Sequence, residues 1–195
     1  MKFKISVRKV CLVIALVLWC AVSANAQVAI KNNLLYDATT TPNIGLEVGL
    51  SRHTTGQIFY GLNPWKPSDT KQARHWTLMP EYRYWLCSKF NGHFFGVHAM
   101  GGEFNLQGIS NPLNLLPFDD LKHNRYEGWY VGGGVTYGYQ WILSKHWNFE
   151  ASVGVGYDYI QYKKSDCGTC GKVTEEDHTH YVGPTKAALS IIYLF

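Results

Sequence analysis

Two cysteines and two histidines in one stretch of the sequence have types and spacing that could support chemistry. Cys167 and Cys170 are separated by two residues, and His178 and His180 follow, with acidic residues between the two pairs. Two thiolates and two imidazoles can hold a tetrahedral zinc ion. In an oxidising compartment the same cysteines would close a small disulfide loop instead. The histidine spacing only loosely resembles a metal site, so we expect the disulfide and no metal or other cofactor.

The amino terminus indicates which compartment applies. Basic residues precede an apolar run over residues 10–22, which leads to small residues that suit a signal peptidase. This pattern predicts a secretory signal peptide over residues 1–26 and a mature chain that begins at Gln27. The apolar run is shorter than the roughly 20 residues that a membrane-spanning helix needs. Export to an oxidising compartment favours the disulfide.

The charge balance changes when the predicted signal peptide is removed. Residues 1–26 contain four of the 18 Lys and Arg residues and none of the 14 Asp and Glu residues, so the mature chain is neutral at pH 7. The basic excess belongs to the signal peptide, and we therefore expect no nucleic-acid partner. The length of the remaining segment, residues 27–195, suits a single domain.

Apolar and polar residues alternate with a period of two along most of the mature chain. Between residues 148 and 159 the apolar series is Phe149, Ala151, Val153, Val155, Tyr157 and Tyr159. Such a period places alternate side chains on opposite faces of a β-strand. The same pattern predicts eight strands, over residues 28–38, 43–52, 55–63, 74–87, 92–105, 125–142, 146–162 and 181–195.

The strand and loop lengths indicate a membrane protein. A tilted strand crosses a bilayer in about 9–11 residues. Long connections follow the third, fifth and seventh strands, over residues 64–73, 106–124 and 163–180, and short ones follow the second, fourth and sixth. Short periplasmic turns and longer extracellular loops are typical of outer-membrane proteins. We predict an all-β fold, an eight-stranded antiparallel transmembrane β-barrel, with a bulge at Pro80 in the fourth strand.

The end of the chain supports the same location. The last strand carries Tyr193 and Phe195 on its apolar face, and the sequence stops at the phenylalanine. This ending is similar to the signal at the end of outer-membrane β-barrels that their assembly machinery reads. The expected localisation is the outer membrane, with its lipid and the barrel assembly machinery as partners.

Six charged residues share the predicted inner face of the barrel. Eight strands enclose a narrow lumen that side chains fill, which disfavours an aqueous channel. Charges in such a space must pair, because an isolated buried charge is strongly destabilising. We expect the two basic residues to neutralise the carboxylates as a structural plug, with a proton or ion path as the alternative. The six residues are Glu47, Glu81, Arg83, Glu150, Asp158 and Lys186.

The loop predicted between the fifth and sixth strands is unusually apolar. It contains Pro112, Pro117 and a set of large apolar residues, namely Leu106, Ile109, Leu113, Leu115, Leu116 and Phe118. Such a segment either packs on its own strands or forms a docking surface for a partner protein.

A serine and several histidines raise the alternative of an enzyme. Ser144 and His146 lie in a predicted turn, and His93 and His98 lie in an earlier strand. A Ser–His pair near a membrane surface could modify lipid A, but it needs an acid to orient the histidine and a donor for the oxyanion. The sequence places neither beside Ser144. We expect a non-enzymatic protein and keep a lipid-modifying enzyme as the alternative.

The beginning of the mature chain resembles a known family. Residues 30–39, IKNNLLYDAT, and residues 41–47, TPNIGLE, are similar to the start of a DUF3575-like domain-of-unknown-function family of Bacteroidota outer-membrane proteins. The resemblance extends over nearly the whole mature chain. It implies a β-barrel and, because genes of such proteins often lie near those for fimbrial subunits, a role in fimbrial or cell-surface assembly. It supplies no catalytic motif.

Overall fold

The structure, a computed structural model, describes residues 27–66, 71–108, 124–165 and 173–195. The predicted signal peptide, residues 1–26, lies outside this range. The described residues form eight strands and one short helix in the following order: β1 (Val28–Asn33), α1 (Leu34–Ala38), β2 (Asn43–Gly49), β3 (Thr54–Asn63), β4 (Gln72–Trp85), β5 (Gly92–Gln107), β6 (Arg125–Ile142), β7 (Trp147–Ser165) and β8 (Val173–Leu194).

The eight strands close into a ring. Each strand pairs antiparallel with its neighbour in sequence, and β1 pairs with β8, where Ala29 lies opposite Leu194 and Asn33 lies opposite Ser190. Five residue pairs between β1 and β8 close the ring, so over this stretch neither the first nor the last strand is a free sheet edge. The prediction of an all-β fold with eight antiparallel strands is confirmed.

The first strand is shorter than predicted. The strand expected over residues 28–38 ends at Asn33, whose side chain accepts a hydrogen bond from the Leu35 backbone N–H at 3.1 Å and caps α1. An asparagine at this position satisfies a donor that the first helical turn leaves free. The Tyr36 ring then meets the Phe59 ring edge-on, with centroids 5.0 Å apart. No helix among the described residues is long and apolar enough to cross a membrane.

The last two strands are longer than predicted. Much of the loop expected over residues 163–180 belongs to β7 and β8, and Lys163 lies opposite Glu176 in their ladder. Polar residues occupy both faces of this part of the hairpin, so the sequence shows no period of two there. Pairing along the already formed hairpin extends the strands regardless.

The bulge predicted at Pro80 is wrong. Leu78 lies opposite Gly101 and Glu81 lies opposite His98 with no change of register, and the β4–β5 ladder is only interrupted between them. Proline has no backbone N–H to donate, which explains the gap without an extra residue. A register shift lies instead in β8, at Thr185.

The distribution of polarity is the reverse of that in a soluble protein. The outer face carries exposed apolar side chains such as Ile58, Val97 and Val153, whereas the interior of the ring buries polar and charged ones. Small apolar clusters lie inside near both ends of the ring, around Phe90 at one end and Phe104 at the other. Most of the buried cross-section between them is polar.

Candidate functional site

Arg83 is the centre of a charged network inside the ring. It lies on β4, is fully buried, and its Nε donates to Glu81 Oε1 at 3.1 Å. Its Nη1 lies 3.1 Å from Glu47 Oε2 on β2. The guanidinium also contacts both carboxylate oxygens of Glu150 on β7, at 2.8 and 3.2 Å. Carboxylates from three strands therefore converge on one cation.

Two lysines complete the network. Lys186 on β8 pairs with Glu81, and Lys31 on β1 pairs with Glu47 and with Glu150, the latter at 2.6 Å. Three cations and three carboxylates make it formally neutral, which offsets the cost of removing these charges from water. We call Lys31, Glu47, Glu81, Arg83, Glu150 and Lys186 the interior ion network.

Sequence analysis placed five of these six residues on the inner face and missed Lys31. The alternation in β1 carried the signal, because Ala29, Lys31 and Asn33 share one face and apolar Ile30 lies on the other. A six-residue strand offers only three residues per face, so the pattern is weak there.

Aromatic rings support the network on one side. The Arg83 guanidinium carbon lies 4.4 Å from the centre of the Phe94 ring, a cation–π contact. The Trp85 ring packs on Phe94 with centroids 4.7 Å apart, and its Nε1 donates to Thr55 Oγ1 at 2.9 Å. Thr55 in turn donates to Glu47. These contacts hold the charged groups in one arrangement.

A β-bulge in β8 places two consecutive side chains inside the ring. Gly154 pairs with Lys186 and Val155 pairs with Pro184, which leaves Thr185 as the extra residue. Bulges of this kind re-aim side chains. Lys186 reaches Glu81, while the Thr185 hydroxyl lies 2.9 Å from His98 Nε2.

His98, one of the histidines considered for catalysis, is bound between hydroxyl groups. It is buried in the interior, with Nδ1 at 2.9 Å from Thr136 Oγ1 and Nε2 at 2.9 Å from Thr185 Oγ1. Both ring nitrogens of the imidazole are therefore engaged.

Asp158 lies inside the ring, but the structure does not bring it into the ion network. It is buried on β7, and its Oδ1 has no hydrogen-bond partner among the described residues. Gly132 faces it, and a Cβ atom at Gly132 would lie 1.9 Å from Asp158 Oδ1. The carboxylate occupies space that only glycine leaves open.

Side chains fill the interior beside the network. A cavity of about 60 Å³ remains between the network and α1, lined by Lys31, Tyr36, Gln57, Met79 and Lys186 among others. Arg83 and Glu47 are fully buried, and Glu150 is 1% exposed. The network thus lies across the ring as a closed polar layer.

The turn between β6 and β7 contains the proposed Ser–His pair. Ser144 Oγ accepts a hydrogen bond from the Trp147 backbone N–H at 3.3 Å. His146 Nδ1 lies 3.0 Å from the Leu194 carbonyl oxygen, and its ring stacks on Tyr193. The two side chains contact different partners. His93 lies on β5, with Nδ1 2.7 Å from the Tyr137 hydroxyl.

The cysteine and histidine set is only partly described. Cys167 and Cys170 lie outside the described residues. His178 and His180 lie on β8, where His178 stacks on Tyr159 and His180 on Tyr157. Within the described part of the chain, no group of three or more His, Cys, Asp or Glu residues could hold a metal ion.

One residue of the predicted partner loop and one of the predicted terminal signal lie in strands. Leu106 belongs to β5 rather than to a loop and packs against the apolar cluster of Phe104, Tyr126 and Ile160. Tyr193 belongs to β8, and the exposed Phe195 donates its backbone N–H to the Val28 carbonyl oxygen at 3.0 Å. The other loop residues lie outside the described range: Ile109, Leu113, Leu115, Leu116 and Phe118.

These features define a class of protein, an all-β ring of eight antiparallel strands with a buried, neutral ion network. The family model described as "Protein of unknown function (DUF3575)" matches residues 10–195. The chain belongs to this family. No curated protein and no solved structure matches it.

Proposed function

We propose that this protein is a non-enzymatic β-barrel of the bacterial outer membrane with a structural or accessory role. The reversed polarity of the ring carries the proposal. Water would be a poor solvent for the outer face, where Ile58, Val97 and Val153 are each more than half exposed. A bilayer accepts such a face, provided that every backbone polar group is paired within a closed ring.

The height of the apolar surface supports a bilayer crossing. On β6 the outward residues from the first to the last aromatic are Trp129, Val131, Gly133, Val135, Tyr137, Tyr139 and Trp141. Twelve residue steps of about 3.3 Å, tilted by about 40°, span roughly 30 Å, which is about the thickness of the hydrocarbon core of a bilayer. Aromatic residues at both ends of the band suit the two membrane interfaces.

The interior ion network supports a structural rather than a conducting role. Its six side chains are nearly inaccessible and lie across the ring. An ion that passed this layer would have to separate buried charge pairs, which is strongly unfavourable. We therefore propose a plugged barrel.

The two ends of the ring differ, which supports an orientation. Three short connections at one end, residues 50–53, 86–91 and 143–146, join β2 to β3, β4 to β5 and β6 to β7. The other end carries the longer connections, including residues 108–124. We propose that the short turns face the periplasm and that the longer loops act outside the cell, in fimbrial or other surface assembly.

Membrane fractionation with gel analysis tests the architecture. The protein should sediment with the outer membrane and migrate differently on a gel before and after boiling, because a folded barrel resists detergent until it is heated. A water-soluble periplasmic protein without a mobility shift would contradict the proposal. Loss of a co-purifying surface polymer on deletion of residues 107–120 would support the accessory role, and undiminished surface assembly would contradict it.

A further inference from the structure

Two grooves lie on the outer face of β4 to β7, one at the end with long loops and one within the apolar band. The first has a volume of about 550 Å³. One wall is a row across four strands in which Trp76 pairs with Glu103, Glu103 with Trp129, and Trp129 with Gln161. Trp76 Nε1 donates to Glu103 Oε2 at 3.1 Å, and Trp129 lies opposite Glu103 in the β5–β6 ladder.

We call this first groove the rim groove. Its other wall is a polar row that lies two residues further along each strand, towards the long loops. Arg74 pairs with Asn105, Asn105 with Glu127, and Glu127 with Lys163. Asn105 donates to Glu127 at 3.2 Å, and the hydrogen bond from Lys163 to Glu176 raises the pKa of Lys163. The groove therefore offers cationic hydrogen-bond donors, Arg74 and Lys163, beside anionic acceptors, Glu103 and Glu127. It lacks the excess of cations that a phosphate would require.

The second groove, of about 590 Å³, lies on the same strands, further from the long loops, and is apolar. Tyr82 and Tyr84 of β4, Val97 of β5, Val135 and Tyr137 of β6, and Val155 of β7 line it. We call it the band groove.

Small residues connect the two grooves. On the outer face between them, Ala99 pairs with Gly133 and Gly101 pairs with Val131. The side chains between the two grooves are therefore short along β5, at Ala99 and Gly101, while Val131 of β6 stands beside them. A molecule with a polar head and an alkyl chain would fit this surface along its length.

We propose that this face binds one glycolipid of the outer leaflet, with its sugar in the rim groove and an acyl chain that runs along β5 and β6 as far as Val97 and Val135, the near edge of the band groove. The inference rests on the proposed membrane location. Sugar hydroxyls both donate and accept hydrogen bonds, which matches the mixed walls of the rim groove. Sugar rings also carry apolar C–H faces that pack on indoles. Trp129 marks the edge of the apolar band, so the sugar lies at headgroup depth.

Native mass spectrometry with detergents of equal chain length tests the proposal. The folded protein in lauryldimethylamine oxide micelles is titrated with dodecyl maltoside or with dodecyl phosphocholine. We expect a saturable one-to-one adduct with the maltoside and none with the phosphocholine. Trp129→Ala should weaken maltoside binding by at least about tenfold, since it removes the exposed indole on which the sugar would pack.

Trp141→Ala is the matched control, because Trp141 is 43% exposed and Trp129 is 42% exposed, at opposite ends of the same strand. It should leave the adduct unchanged. Equal retention of both detergents, or maltoside binding that Trp129→Ala does not weaken, would indicate an adventitious additive only and overturn the proposal. A protein with a heat-dependent gel shift but no maltoside adduct would lose this site and keep its proposed function.

Discussion

Arg83 and Glu150 form a two-point ion pair across the interior of the ring, with Nη1–Oε2 and Nη2–Oε1 distances of 2.8 and 3.2 Å. They lie on β4 and β7, which are not neighbours in the sheet. The pair therefore ties together opposite walls that the backbone ladder does not join. A guanidinium and a carboxylate can make two parallel hydrogen bonds, which gives the contact a defined geometry as well as strength.

Arg83→Ala should strongly destabilise the protein. It leaves Glu47 and Glu150 with less compensating charge in a buried layer, which costs about 3–5 kcal/mol in the free energy of unfolding. Urea titration of the protein folded in lipid vesicles measures this change.

The matched control for that variant is Arg125→Ala. Arg125 pairs with Glu127 at 2.7 Å, but its side chain is 29% exposed, so the loss should be at most about 1 kcal/mol. If Arg83→Ala unfolds the protein completely, Arg83→Lys retains the charge without the fork and should fall between the two. Unchanged unfolding in Arg83→Ala would contradict the plug.

Glu81 and Lys186 should show strong thermodynamic coupling. Glu81→Gln or Lys186→Met alone leaves a charge with fewer partners, whereas the double variant removes the pair. The double variant should be more stable than the sum of the single changes predicts, by about 0.5–3 kcal/mol. A double-mutant cycle from urea unfolding measures this value, and simple additivity would show that the two residues do not interact.

Gly132→Ala should destabilise the ring, because its Cβ atom would lie 1.9 Å from Asp158 Oδ1 and 2.3 Å from the Tyr157 carbonyl oxygen. Forcing a backbone shift of this kind costs about 1–3 kcal/mol. Gly101→Ala is the control, since its nearest contact would be an ordinary 3.4 Å. Thermal unfolding should separate the two variants; equal midpoints would be inconsistent with this packing.

An arginine in the centre of the apolar band should reveal the surrounding solvent. Val135 and Ile142 are 57% and 59% exposed on β6, but only Val135 lies midway between the aromatic ends of the band. In a bilayer, Val135→Arg should cost about 2–4 kcal/mol and Ile142→Arg about 0–1 kcal/mol. Unfolding from vesicles measures both. Equal, small effects are those of a water-exposed surface and would count against the membrane proposal.

Thiol labelling tests the disulfide predicted between Cys167 and Cys170. Cys87 is a free, exposed thiol. Iodoacetamide should therefore label one cysteine of the denatured mature chain before reduction and three after it, as counted by mass spectrometry. Three labels without reduction would mean that the two loop cysteines are free thiols.

Alternation along the chain was sufficient to assign most interior residues. Glu81 and Arg83 are two residues apart in a strand whose outward neighbours are apolar, so the local pattern alone places both inside. Lys31 escaped because β1 is short, and the extended part of β8 escaped because both of its faces are polar. In these two stretches the face on which a side chain lies is set by pairing with strands that are distant in sequence.

The sequence alone does not show that Trp76 and Trp129 share one surface, because they lie 53 residues apart on β4 and β6. That Trp76, Glu103 and Trp129 form one wall follows from the registers of two ladders. A shift of one residue in either would move a side chain to the other face. No local pattern specifies such a register across the long β5–β6 connection.

The amino-acid sequence by itself determined the strand content and which side of each strand is polar, because the extended backbone sends successive side chains to opposite faces. Only the tertiary structure decided which charges meet. Closure of the ring brings Arg83 and Lys31 to Glu150, and the bulge at Thr185 places Lys186 within reach of Glu81. These contacts depend on register and closure, which act between residues distant along the chain.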